Sequence, residues 1–412
     1  MHIIDVDGDG LLDIVFTRTI SAPNFWRNQG DGRFQQEVLP AIDKPIYAMN
    51  WADMDGDDDL DLVGATYDAA QLAEFSHEYL ESAKAGVYVY ERLGDGYTVT
   101  RLAEQAQALA LILVDLDDDD QLDILVGNDF AVPDMAWIRN DGGWLPDHSF
   151  GATSHSTMSF DFGDLDNDGN REIFSTDMKP AADDPQTLAA WAPVMAGMMD
   201  EAHDPNDPQV MANVLQTLGP DGAFVDQADE RGIDASGWSW SGKFGDLDQD
   251  GFLDLYIVNG MMEATTFAHL PNHELVEENQ AFRNLGDGRF ALASDWALGS
   301  TLSGRGMSMG DLDGDGDLDI VVNNLRGPAL LLENQLCSGS SLQVDLFWPA
   351  RANSRAIGAE LTLHTDRGPL YRQVRAGSGY LSGDPARIHF GFPEDAALDR
   401  LEIRWPDGRR PQ

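Results

Sequence analysis

One short pattern constrains this chain more than any other: aspartates at positions 1, 3, 5 and 9 of a loop, repeated in register. The first copy, IDVDGDGLLDIVF, places Asp5, Asp7, Asp9 and Asp13 within one turn. Like charges a few Å apart repel, and a compact loop cannot splay them. A hard cation removes that cost, because calcium takes six to eight oxygens and alternating carboxylates on a tight turn converge on one point. The opening matches an EF-hand loop, but the closing carboxylate comes at position 9, where an apolar β-like run begins. A calcium turn between two strands is therefore expected, not one between two helices.

The pattern occurs six times. Asp53, Asp55, Asp57 and Asp61 form the second copy, and Asp115, Asp117, Asp119 and Asp123 the third. Asp164, Asp166, Asp168 and Glu172 form the fourth, and Asp246, Asp248, Asp250 and Asp254 the fifth. Asp311, Asp313, Asp315 and Asp319 form the sixth. Solvated acidic turns do not keep such a register, so calcium, in up to six ions, is the cofactor expected. Position 6 is Gly in four copies, where the turn calls for positive φ, and Asp58 and Asp120 stand there in the other two.

A second signal follows each of the first five copies: strand, Gly-Asp-Gly-like turn, strand, as in NFWRNQGDGRFQQEV and FRNLGDGRFALAS. One unit is thus four short strands, and such units repeated radially are propeller blades. The units resemble FG-GAP/VCBS repeats, the calcium-bearing blades of integrin α chains and of many secreted bacterial proteins. The resemblance covers residues 1–336 and implies an all-β fold of four-stranded blades, seven in the family against six loops here. Only Met1–Ile4 precede Asp5. The first blade is therefore expected to be incomplete, with the natural N-terminus and any signal peptide upstream.

The blade pattern ends near Gln335, and residues 337–412 read as a small β domain of short strands divided by Gly, Asp and Pro. SRAIGAELTL, RAGSGYLSGDP, IHFGF and IRWPDG resemble the ASPIC/UnbV domain, which follows FG-GAP propellers. Pro393 after Phe390–Phe392 departs from the family's FGLG, and a further strand is expected beyond Gln412.

The chain has 72 Asp and Glu against 26 Lys and Arg, a formal charge of −46. That balance argues against a nucleic-acid footprint and against docking on anionic lipid. A single cysteine rules out an internal disulfide, and no apolar run is long enough to span a bilayer. No nucleophile elbow, Walker loop, HExxH or CxxC occurs.

Antiparallel strands put the calcium turns and the Gly-Asp-Gly turns at one end of each blade. Insertions near 67–86, 176–209 and 259–280, expected to be helical, then gather at the other end, where function on a rigid scaffold usually sits. Trp238, Trp240, His155, His269 and Arg305 are the candidate ligand contacts on that face. The function expected is a calcium-stabilised, extracellular or periplasmic adhesion-type propeller that binds a glycan or protein there. The alternative is a polysaccharide lyase-like enzyme, with His155 or His269 as base and Arg305 as charge neutraliser.

Overall fold

The computed structural model describes residues 1–412 except 70–83, 131, 141, 200–207, 220–221, 262–264, 337, 350 and 411–412. Most of the insertion near 67–86 therefore lies outside the described residues.

Apolar runs too short for helices and bounded by turn residues form strands, and the sheets follow the chain order in antiparallel meanders. Blade 1 comprises His2–Ile4, Asp13–Phe16, Asn24–Asn28 and Phe34–Glu37. Its inner strand has three residues. Blade 2 comprises Ala48–Ala52, Asp61–Ala65, Val87–Leu93 and Gly96–Ala103. Blade 3 comprises Ala108–Val114, Asp123–Asn128, Met135–Asn140 and Gly143–Asp147. Blade 4 comprises Ser159–Gly163, Glu172–Thr176, Val214–Leu218 and Phe224–Asp226. Blade 5 comprises Gly237–Gly245, Asp254–Asn259, Gln280–Asn284 and Phe290–Leu292. Blade 6 has three strands, Gly304–Gly310, Asp319–Asn324 and Leu330–Leu332.

The inner strands of blades 2 to 6 adjoin in order and converge on a central hub. They are buried on both faces, and the wholly apolar ALALILV of blade 3 is the extreme case. Blade 1 joins blade 2 through Arg18, whose N–H donates to the Ile46 carbonyl at 2.9 Å. The fold is an all-β propeller followed by a small β domain, and six blades are present among the described residues.

The C-terminal domain pairs Ser340–Val344 with Ile388–Phe392, and packs Gly368–Gln373, Glu360–Thr365 and Leu398–Arg404 into a second sheet. It is not a separate body. One apolar core runs from Val15, Trp51 and Leu62 in the blades to Ile357, Leu363 and Phe390 in this domain.

More unusually, the segment Arg375–Pro385 enters the hub. Its Gly379 N–H donates to the Phe160 carbonyl at 2.8 Å, and the Tyr380 N–H donates to Ser241 Oγ at 3.1 Å. Asn50 Nδ2 donates to the Gly377 carbonyl at 3.4 Å, and the Tyr380 and Tyr47 hydroxyls meet at 3.0 Å. Two ion pairs fix the segment: Lys243 with Asp384 at 2.6 Å and Arg375 with Asp161 at 2.5 Å. The Lys243 side chain is wholly buried. Burial alone would raise the Asp384 carboxyl, but Lys243 and Arg375 outweigh it and hold the group below its ordinary value.

Of the insertions, 176–209 contains the helix Pro185–Met199. The described residues of 259–280 do not form the expected helix. Among the described residues the segment carries one 3-10 turn, Pro271–His273, because Pro271 lacks an N–H donor and Asn272 sits at φ 58°.

Candidate metal centres

Each acidic loop is built the same way. The position-1 carboxylate turns back on its own loop: Asp5 accepts the N–H groups of Gly8 at 2.9 Å, Asp9 at 3.1 Å and Gly10 at 2.8 Å. The position-9 carboxylate does something the pattern alone did not suggest. One of its oxygens accepts the position-2 N–H, as Asp13 does from Val6 at 3.0 Å and Asp61 from Met54 at 2.7 Å. In five loops its other oxygen accepts an N–H from the blade's third strand or just past it: Asn28 to Asp13, Arg92 to Asp61, Arg139 to Asp123, Asn284 to Asp254 and Asn334 to Asp319. This residue therefore ties the turn to the sheet whether or not it also ligates.

The backbone obeys the loop as well. Gly10, Gly169, Gly251 and Gly316 all have positive φ at position 6, and Asp58 and Asp120 adopt it at 73° and 69°. Position 4 is also left-handed, at Gly8, Gly56 and Gly314 and, without glycine, at Asn167 with φ 58° and Gln249 with φ 55°.

The carboxylates converge. One oxygen each from Asp5, Asp7 and Asp13 lies within 4.8 Å of the others, and the same holds for Asp53, Asp55 and Asp57. Asp115, Asp117 and Asp123 form a third group, Asp164, Asp166 and Glu172 a fourth, and Asp246, Asp248 and Asp250 a fifth. Burial pushes Asp13 up to about 6, Asp123 and Asp246 to about 7, and Asp61 and Glu172 to about 8. The loops as they stand thus disfavour their own charge. Guanidinium groups offset it in part, with Arg283 on Asp248 at 3.1 Å and Arg231 on Asp166 at 3.4 Å. The second oxygens, Asp166 Oδ1 and Asp248 Oδ1, remain buried with no hydrogen-bond partner. A buried anionic oxygen with nothing to pair with is costly, and an all-oxygen donor set suits a hard divalent cation. The residues fit such an ion.

The C-terminal domain lies over all six loops. Ser354 donates to Asp5 in loop 1, Arg351 pairs with Asp58 in loop 2, and Arg404 pairs with Asp120 in loop 3 at 2.9 Å. Glu360 pairs with Arg171 in loop 4 at 2.5 Å, Ser338 donates to the Asp248 carbonyl in loop 5, and Gln343 donates to Asp311 in loop 6.

The opposite face holds the candidate ligand contacts, and most are interior. Trp238 and Trp240 are each 5% exposed. Trp238 packs on Trp191 of the insertion helix at 5.8 Å and on Phe267 at 5.4 Å. Trp240 donates from Nε1 to the Gly260 carbonyl and meets Tyr380 edge-on at 5.1 Å. Neither offers a ring for a sugar, so the stacking role is corrected to packing beneath the insertions. Arg305 is brought to Trp240, 3.9 Å from the ring centroid. It donates to the carbonyls of Gly260, Gly304 and Met261, and burial lowers its pKa to about 10. It is a structural residue here, not an exposed cation. His269 Nε2 hydrogen-bonds the Ala190 carbonyl at 2.7 Å, joining loop to helix. His155 lies apart, its N–H held by Asp177 Oδ2 at 2.8 Å and its ring near Ser156 Oγ at 3.3 Å.

Comparison with known proteins agrees with the repeat pattern. The model of the FG-GAP-like repeat matches residues 5–64, 115–175 and 272–322, and that of ASPIC and UnbV matches 349–412. Cartilage acidic protein 1 of Mus musculus is 35% identical over 111 residues, 26% of this chain and 17% of that protein. The Homo sapiens protein is 34% identical over the same length, 26% of this chain and 16% of its own. The chain thus spans about a sixth of the length of these curated relatives. Among solved structures, the exotype rhamnogalacturonan lyase YesX superposes with a TM-score of 0.38 at 11% identity, over 95% of this chain and 71% of that one. A Lactobacillus plantarum protein superposes at 0.40 and 9% identity, over 94% and 98%. The V. cholerae biofilm matrix protein Bap1 superposes at 0.30 and 14% identity, over 99% and 60%. These superpositions are loose, and the blade assignment rests on the strand order. No helix among the described residues is long and apolar enough to cross a membrane. With six in-register acidic loops, repeat-model matches over most of them and the C-terminal match, the chain carries FG-GAP-like repeats joined to a C-terminal ASPIC and UnbV domain.

Proposed function

We propose that this is a calcium-stabilised extracellular binding protein whose recognition surface is the face carrying the insertions, with a glycan or a protein as ligand. The observation that carries the reading is the asymmetry of the propeller. The ion loops lie beneath the C-terminal domain, while the other face exposes Phe130, Leu188, Val210 and Val276. Bound calcium would supply the positive charge that the converging carboxylates lack. The chain's own residues do the rest: position-1 carboxylates shape each turn, position-9 carboxylates hold it to the sheet, and the rigid blades present the insertions.

Removal of metal should unfold the platform before it alters the ligand surface. The test is an array of glycans and matrix proteins probed with the intact chain in calcium. A ligand should bind, and Leu188→Asp with Val276→Asp should weaken it at least tenfold. An array with no ligand, or one indifferent to the double variant, removes the reading. The lyase alternative loses its named charge neutraliser, because Arg305 is buried and bonded to backbone carbonyls.

A further inference from the structure

The ion face and the C-terminal domain do not meet flush. Between blades 4 to 6 and the C-terminal sheets lies a cleft of about 770 Å³. That is within the range of small-molecule sites, which favour domain interfaces and carry a few convergent polar groups. In a chain with a formal charge of −46, this cleft gathers an unusual share of arginine.

Most of those arginines are already engaged. Arg171 and Arg404 share Glu360, Arg375 holds Asp161, and Arg387 pairs with Asp345 at 2.8 Å. Arg372 is different. Its Nη1 donates to the Tyr371 carbonyl at 2.8 Å, and its guanidinium lies 5.5 Å from the Phe390 ring centroid. The other terminal nitrogen, Nη2, is buried in the cleft wall with no hydrogen-bond partner. Two acceptors share that condition. Gln373 Oε1 has no partner, and His389, whose Nε2 bonds the Gly316 carbonyl at 3.0 Å, has none at Nδ1. Unpaired buried polar atoms cost free energy, and Arg372 with His389 describes the complement of a ligand, while Gln373, next to Arg372 in the same strand, faces the other way. The donor is a guanidinium, which recognises a carboxylate, and the acceptor suits a hydroxyl group.

We propose that this cleft binds a small hydroxylated carboxylate of the size of a uronic acid, with Arg372 on the carboxylate and His389 on a hydroxyl. Asp164 and Asp246 also stand in the wall and set a limit on charge: an anion enters where their own charge is neutralised by the loops' cations. That condition rests on the cation reading above. The site does not depend on what the open face binds.

The test is calorimetric titration of the intact chain with D-glucuronate, with ionised calcium clamped. Glucose and sulfate serve as neutral and anionic controls. Saturable glucuronate binding is expected, with glucose and sulfate at least tenfold weaker. Arg372→Gln should weaken glucuronate binding at least tenfold, with a melting temperature close to the parent's. His389→Phe, away from the guanidinium, gives a second reading and should weaken it severalfold, with the melting temperature read alongside. The proposal is overturned by no glucuronate binding, by equal binding of glucose or sulfate, or by unchanged affinity in both variants. If the chain melts on chelation yet glucuronate fails to bind in calcium, the cleft alone is rejected. If chelation changes nothing, the cation reading fails by itself.

Discussion

The two faces of the propeller are made by the same blades and differ in almost every physical respect. The ion face is built from short loops of fixed length, dense in carboxylate, and is covered by a second domain. The insertion face is built from connections of unequal length, and its aromatic residues Trp191, Trp238, Trp240 and Phe267 pack inward. Repeats enforce sameness where each loop must meet one geometric demand, a set of oxygens around a point. They leave the other end of each blade free to vary, because a strand connection there has only to return to the sheet. The first face is therefore uniform from blade to blade, and the second is where the connections have room to differ.

That contrast breaks most easily at the metal. EDTA should lower the melting temperature by roughly 10 °C or more, since each cation bound only by the folded state adds about 2.7 kcal/mol at a hundredfold excess over its dissociation constant. Scanning calorimetry with calcium added back, and magnesium as control, reads this directly; an unchanged melting temperature would remove the ion face from the stability argument.

Next in size is the hub. Lys243→Met leaves Asp384, about a quarter exposed, without its nearest cation, a change that costs on the order of 1–3 kcal/mol. Urea unfolding should show it, and Lys243→Met combined with Asp384→Leu should recover much of the loss.

A smaller effect separates the faces by pH. In chelated protein the loop carboxyls, raised to about 6 for Asp13, about 7 for Asp246 and about 8 for Asp61 and Glu172, hold protons in the folded state that the unfolded chain has released. The folded state binds more protons between pH 4 and 8, so stability should fall as pH rises through that window. With calcium bound the carboxylates are ionised in the folded chain as they already are in the unfolded one above about pH 5, so the slope should flatten. Melting curves at pH 5, 6.5 and 8 with and without calcium distinguish a falling from a flat dependence.

The smallest effect belongs to the open face. Leu188→Asp, at an exposed position, should change stability by no more than about 0.5 kcal/mol. Circular dichroism melts suffice, and a large loss would mean that this face is part of the core after all.

Much of this was legible in the sequence because it is local. Positions 1, 3, 5 and 9 converge through the geometry of a single turn, and Gly at position 6 announces its own dihedral angle. The double duty of Asp13, Asp61 and Asp254 was less visible, since their second partners lie in another strand. A signal for it exists: an Asn recurs at the end of the third strand as Asn28, Asn284 and Asn334, and each donates its backbone N–H to the position-9 carboxylate. Its amide also bonds turn carbonyls, and Asn284 and Asn334 reach Leu165 and Leu247 of the preceding blade.

The sequence by itself determined the repeat unit, the acidic loops and the strongly acidic balance of charge. Only the tertiary structure decided that Arg375–Pro385 fills the hub, that the C-terminal domain covers the loops, and that Trp238, Trp240 and Arg305 are interior. The reason is distance along the chain. A loop motif is satisfied within nine residues. Lys243 meets Asp384 across 141 positions and Ser354 meets Asp5 across 349, pairings that no local pattern encodes and that burial of a shared core enforces.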